Sequence, residues 1–150
     1  MSVILPMLVV AWALGIALSD ILSRRIPNVF SIGALIGGIA YLVYAGQAPL
    51  GGAWLEVITG MLIAILLTLP AYFLRWLGGG DVKLMLAIAA LGGWKVVLTS
   101  FAVAGLLAGL TSMFVMQYAA YTGQGPATKR WLPFGAMLAM GLIASMRFQW

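Results

Sequence analysis

The sequence predicts an all-α integral membrane protein of about six transmembrane helices with both termini outside, and three observations lead there. Of 150 residues, 64% are hydrophobic and only 7% charged, against roughly a quarter charged in a soluble domain. Apolar stretches long enough to span a bilayer alternate with clusters of Gly, Pro, Asn and Gln, and about 20 apolar residues suffice to span. The basic residues gather at alternate boundaries between those stretches, the bias that sets orientation in a membrane.

The first span, near 3–23, lies in the opening MSVILPMLVVAWALGIALSDIL. It lacks the basic start of a signal peptide and its apolar run is long enough to cross. Arg24-Arg25-Ile26-Pro27-Asn28 ends it, since a residue before proline is steered out of the helical region. The second span is expected near 29–46 and closes at Gln47-Ala48-Pro49-Leu50-Gly51-Gly52. The third, 53–75, runs to Gly78-Gly79-Gly80. The fourth, 81–93, is short and ends at Gly92-Gly93. The fifth covers 96–120, and the sixth, 133–148, follows the break from Thr122 to Leu132. With no internal repeat and no low-complexity segment, a single polytopic domain over 1–150 is the simplest organisation. Gly105, Gly109 and Gly141 read as sites of close helix packing.

Orientation follows from charge. Arg24, Arg25, Arg75, Lys83, Lys129 and Arg130 lie at boundaries 1–2, 3–4 and 5–6, whereas Lys95 and Arg147 lie on the other side. The odd-numbered connections are therefore expected in the cytoplasm. Trp54, Trp76, Trp94, Trp131 and Trp150 fall near expected helix ends, where indoles sit at the interface. The net charge of +5 is scattered singly or in pairs, which does not point to nucleic acid.

The chain has no Cys and no His. Disulfides, thiol catalysis, the usual zinc sites and Ser-His-Asp chemistry are excluded together, and no cofactor or metal is implied. The acids are three: Asp20, Glu56 and Asp81. Helix parity puts Asp20, one turn before the end of helix 1, and Asp81, at the start of helix 4, at the same depth on the cytoplasmic side. Glu56 falls on the opposite side and reads as a solvated interfacial acid. A charge inside the bilayer costs about 3 kcal/mol or more and persists mostly with a partner or a task. Two carboxyls able to meet suggest an aspartyl dyad sharing a proton, one acting as base toward a water while the other donates to a scissile carbonyl.

Gly78 to Gly80 can take backbone angles closed to other residues and leave room for an extended peptide to reach Asp81. Asp81 in a first helical turn is favoured in its ionised form by the helix dipole. Asp20 near a helix C-terminal end is not, so Asp81 leans toward base and Asp20 toward proton carrier. Taken singly, Asp81 also fits a helix cap and Asp20 an i, i+4 pair with Arg24. Lys83 reads equally as an interfacial anchor or as a charge neutralising a substrate carboxylate. Pro27 with Asn28, and Pro133 with Gly135, most simply start helices.

Three segments, SDILSRRIPN, GGGDVKLMLAIAALGG and LPFGAMLAMG, together resemble the prepilin peptidase family of intramembrane aspartyl proteases. The match is an aspartate late in helix 1 followed by Ile-Pro-Asn, a Gly-x-Gly-Asp-x-Lys opening helix 4, and Pro-Phe-Gly opening the last helix. It extends over nearly the whole chain. The resemblance implies that Asp20 and Asp81 are the catalytic pair, with Gly78, Gly79, Gly80, Lys83, Pro27, Asn28, Pro133, Phe134 and Gly135 near the site. It implies cleavage of the short basic leader of type IV pilin-like precursors at the cytoplasmic face of the inner membrane, beside the pilus assembly machinery. Longer bifunctional members carry a cytoplasmic insertion with paired CxxC zinc ligands and methylate the new N-terminus. Lacking Cys, this chain looks instead like the compact tight-adherence (Flp-type) members, with archaeal preflagellin peptidases as the related alternative. From the residues alone, two rivals stand: a small proton-coupled transporter, whose acids tend toward the midplane, and a non-catalytic membrane scaffold, which would tolerate Asp81→Asn.

Overall fold

The computed structural model describes residues 4–23, 26–122 and 133–147. Among these the chain is helical, in the order α1 (Ile4–Ser23), α2 (Asn28–Ala45), α3 (Trp54–Phe73), α4 (Gly79–Thr122) and α5 (Phe134–Arg147). α1 to α4 are long and apolar enough to cross a membrane, while α5 is shorter at 14 residues.

α4 is one element with a break. At Gly93 the backbone leaves the helix (φ 78°, ψ −166°), dividing 79–92 from 94–122 where Gly92-Gly93 is expected to end a span. Only glycine enters that region without steric penalty. The break is also crowded: a Cβ placed at Gly93 would lie 2.9 Å from the Glu56 carbonyl oxygen, and one at Gly60 would lie 2.7 Å from the Gly93 carbonyl carbon. The turn between α2 and α3 closes over the same place, with Leu50 N–H donating to the Leu91 carbonyl at 2.9 Å.

The first arm of α4 is the core. Leu84, Met85, Ala87, Ile88, Ala89 and Ala90 are fully buried, so this segment is surrounded by protein. The other helices each bury one stripe against the bundle: Val9, Ala13, Ile16 and Asp20 on α1; Ser31, Gly38 and Leu42 on α2; Val57, Gly60, Ala64 and Thr68 on α3. The steps of three and four place each set on one helical face. Small residues recur on those faces, and at Gly38 a Cβ would lie 3.0 Å from Ala90, the close approach that stabilises helix pairs in lipid. The outward faces carry large apolar side chains such as Leu14, Leu22, Val43, Leu66 and Phe114. In water these would be a liability; against acyl chains they are the proper solvent match.

α3 ends at Phe73, within two residues of its expected bound, where Arg75 adopts a left-handed conformation (φ 61°). Trp76 N–H donates to the Ala71 carbonyl and Arg75 N–H to that of Tyr72, the bond pattern that closes a helix, here without the usual glycine. One expectation needs correction: among the described residues, nothing lies within 4 Å of a Cβ at Gly105 or Gly109, so neither packs closely against them. Gly141 does, pressed against the backbone of Ser100.

Candidate active site

Asp20 is the last member of the buried α1 stripe and only 7% exposed. Its Oδ2 accepts the backbone N–H of Ala136 at 2.9 Å. Ala136 lies in the first turn of α5, where backbone N–H groups have no partner within the helix. Asp20 thus caps, from another helix, the end of α5 that carries partial positive charge. Gly135 makes the approach feasible: a Cβ there would lie 3.0 Å from Asp20 Oδ2 and 2.6 Å from Ile26 Cδ1.

Asp81 is held in the first turn of α4. Its Oδ2 accepts the Gly78 N–H at 3.0 Å, and its own N–H donates to the Gly78 carbonyl at 3.1 Å. The two bonds reproduce the reciprocal logic of a capping box, with the acid reaching back three residues. Both aspartates therefore use one carboxylate oxygen to satisfy a helix N-terminus, Asp81 its own and Asp20 that of α5. The contrast drawn from sequence, a helix start for Asp81 and a helix end for Asp20, is not the contrast in space: the nearer helix end for Asp20 is the start of α5. Arg24, its expected i, i+4 partner, lies outside the described residues.

The glycine segment also differs from expectation. Gly79 and Gly80 are the first residues of α4, and the positive-φ glycines among the described residues are Gly46, Gly51 and Gly93. What the segment supplies is missing side chains rather than unusual angles. A Cβ at Gly80 would stand 3.4 Å from Ile26 Cβ, and one at Gly79 would stand 3.5 Å from the Tyr72 ring. Gly80 is half-buried and Gly79 exposed.

The three segments that carry the sequence motifs meet at one end of the bundle. Ile26 packs at Gly80, next to Asp81, and at Gly135, next to the Asp20 partner Ala136. Pro27 precedes α2 and accepts the Phe30 N–H at 3.0 Å. Lys83, left between two uses by the sequence, has a partner inside the chain: its Nζ donates to Asn28 Oδ1 at 3.0 Å. Pro133 precedes α5 and accepts the Met137 N–H, while Phe134 meets Phe101 edge-on with ring centroids 6.3 Å apart. Glu56 belongs to a different cluster: it accepts the Ala53 N–H and pairs with Lys95 at 3.3 Å, beside the Gly93 break.

Ile26 and Ala136 were not singled out from the sequence. Ile26 stands inside the quoted Ile-Pro-Asn run, but an isoleucine in an apolar chain carries no signal of its own. Ala136 enters through its backbone, which no side-chain pattern reveals. An apolar cavity of about 280 Å³ lies elsewhere, among Leu5, Trp12, Gly37, Tyr41, Pro49 and Leu91, and includes neither aspartate. Among the described residues no group of three or more acidic, His or Cys side chains gathers as a metal site.

Comparison with known proteins places the chain among prepilin leader peptidases by similarity. A family model described as the type IV leader peptidase family matches residues 7–113. A protein of Escherichia coli O78:H11 (strain H10407 / ETEC), named type 4 prepilin-like proteins leader peptide-processing enzyme, is 33% identical over 153 residues, covering 95% of this chain and 51% of that protein. The chain thus spans about half the length of this curated relative. No solved structure gives a significant match.

Proposed function

We propose, from the premise that the chain belongs to the type IV leader peptidase family, that it is an intramembrane aspartyl endopeptidase. It removes the short basic leader of type IV pilin-like precursors of the Flp type, with Asp20 and Asp81 as its dyad. The observation that carries this is the contact of Ile26 with two helix starts, the first turn of α4 that bears Asp81 and the first turn of α5 that the buried Asp20 caps. This supports two of the chain's three acids, far apart in sequence, acting together at one end of an apolar bundle.

The chemistry needs two carboxyls and a water. One carboxylate takes a proton from the water, whose oxygen attacks the scissile carbonyl carbon, while the protonated partner donates its proton to the carbonyl oxygen. The tetrahedral diol then collapses: the C–N bond breaks, the departing nitrogen takes the proton held by the first carboxyl, and a diol hydroxyl returns its proton to the partner carboxylate as the new carbonyl forms. The two groups share one proton because two adjacent carboxylates cannot both ionise cheaply, and the pair titrates as a unit. No metal or cofactor enters these steps.

The surrounding arrangement is one peptidase domain with six crossing segments, α4 contributing two about Gly93. Both termini are outside and the dyad faces the cytoplasm at the inner membrane, alongside the pilus assembly machinery. The grouping of Glu56 with Lys95 away from Asp20 and Asp81 supports this sidedness. The test is co-expression with a pilin-like precursor, then repetition with purified enzyme in detergent. Leader removal without any ion gradient supports the peptidase. Absence of cleavage, with proton flux in vesicles, would support a transporter instead.

A further inference from the structure

The segment Ile26-Pro27-Asn28 touches the turn that bears Asp81 and the turn that Asp20 caps. Ile26 fills the space left by two missing side chains. At Gly80 a Cβ would stand 3.4 Å from Ile26 Cβ and 3.6 Å from Cδ1; at Gly135 it would stand 2.6 Å from Cδ1 and 3.1 Å from Cγ1. One side chain therefore separates the first turn of α4, which holds Asp81, from the first turn of α5, which Asp20 caps. Two residues on, Asn28 accepts a hydrogen bond from Lys83, which stands two residues past Asp81 on the same helix. Pro27 between them has φ −60° and ψ 131°. Its ring fixes φ and restricts Ile26 to extended backbone, so the wedge and the hydrogen bond are joined by a stiff link.

We infer that Ile26-Pro27-Asn28 is a clamp that sets the spacing between Asp20 and the Asp81 turn, with Ile26 and Asn28 as positioning residues. The inference rests on the peptidase reading. Its physical logic is that two carboxyls share a proton only over a narrow range of separations, and a displacement of about 1 Å can cost on the order of 10²-fold in rate. A wedge against two glycine-lined turns blocks approach from both sides, since interiors resist overpacking. The bond from Lys83 resists separation by tying α4 to the start of α2.

The experiment pairs an overfilled slot with a trimmed wedge. Gly135→Ala places a methyl group 2.6 Å from Ile26 Cδ1, and Ile26→Val removes that atom. Expected values of kcat, normalised to folded enzyme in the membrane, are a tenfold or greater loss for Gly135→Ala, and recovery of at least threefold in the Ile26→Val/Gly135→Ala double variant. KM should stay within twofold throughout. On the other side of the clamp, Asn28→Asp should retain cleavage, Asn28→Leu should lower kcat, and Lys83→Met combined with Asn28→Leu should be no worse than Asn28→Leu alone. Near-wild-type kcat for Gly135→Ala, failure of Ile26→Val to rescue it, or a loss appearing wholly in KM or in the amount of folded protein would overturn the clamp. If the wild-type chain cleaves no precursor, the peptidase reading fails instead. The thermal midpoints of the same variants then still decide the wedge, which expects Gly135→Ala lowered and the double variant restored, and is overturned if it is not.

Discussion

Asp20 Oδ2 accepts the amide of Ala136 at 2.9 Å across a sequence separation of 116 residues. That bond joins the end of α1 to the start of α5 and keeps a buried carboxyl hydrogen-bonded where an orphan polar group would be costly. It also bears on substitutions there: asparagine keeps an oxygen acceptor for Ala136, so Asp20→Asn removes the ionisable group while leaving the cap in place. Asp20→Ala removes both, and is expected to lower the thermal midpoint as well as activity. A heat-denaturation series on the purified variants separates the two, with the midpoint of Asp20→Asn close to wild type and that of Asp20→Ala lower, by an amount consistent with loss of a cap worth about 1 kcal/mol.

The first turn of α4 tests whether missing side chains matter beside Asp81. Gly79 is exposed and its added methyl meets Tyr72 at ordinary contact distance, whereas Gly80 faces Ile26. Gly79→Ala should cleave like wild type. Gly80→Val, whose branches run into Ile26, should lose cleavage with little loss of inserted protein. The cleaved fraction per inserted enzyme is the measurement, and full activity of Gly80→Val would show that bulk next to Asp81 is harmless.

Glycines at two other places should respond oppositely to alanine. Gly93 combines positive φ with a carbonyl 2.9 Å from where Cβ would go, so Gly93→Ala should be destabilising by more than the roughly 1–2 kcal/mol of a left-handed non-glycine residue. Gly105→Ala meets open space and should be neutral or stabilising, since alanine is the better helix former by about 1 kcal/mol. Thermal midpoints in one detergent compare them directly.

Glu56→Gln should remain an active enzyme. The pair with Lys95 is partly exposed and such pairs contribute about 1 kcal/mol or less, while the amide oxygen can still accept the Ala53 N–H. Cleavage lost in Glu56→Gln at normal folded yield would mean the third acid takes part.

Much of this was legible because polar punctuation is rare in an apolar chain. The acids, the prolines and the Gly92-Gly93 break mark themselves, and the helices lie near their expected bounds. What stayed hidden has a common cause. In lipid both faces of a helix are apolar, so no periodicity distinguishes the buried stripe ending in Asp20 from the outward leucines, and a glycine facing a neighbour looks like one facing lipid. Gly141 and Gly105 illustrate this: they read alike in sequence, yet one is pressed against Ser100 and the other meets open space. Nor does local sequence disclose that a carboxyl near one helix's end caps another's start, or that Arg75 takes the turn usually given to glycine.

The most direct test of the dyad is single substitution at each aspartate. Asp20→Asn and Asp81→Asn, purified in detergent and mixed with a pilin-like precursor, should both insert and fold normally. Each should cleave at least about a hundredfold more slowly than wild type, the scale of a lost acid–base group. Leader removal by either variant at the wild-type rate would contradict the account.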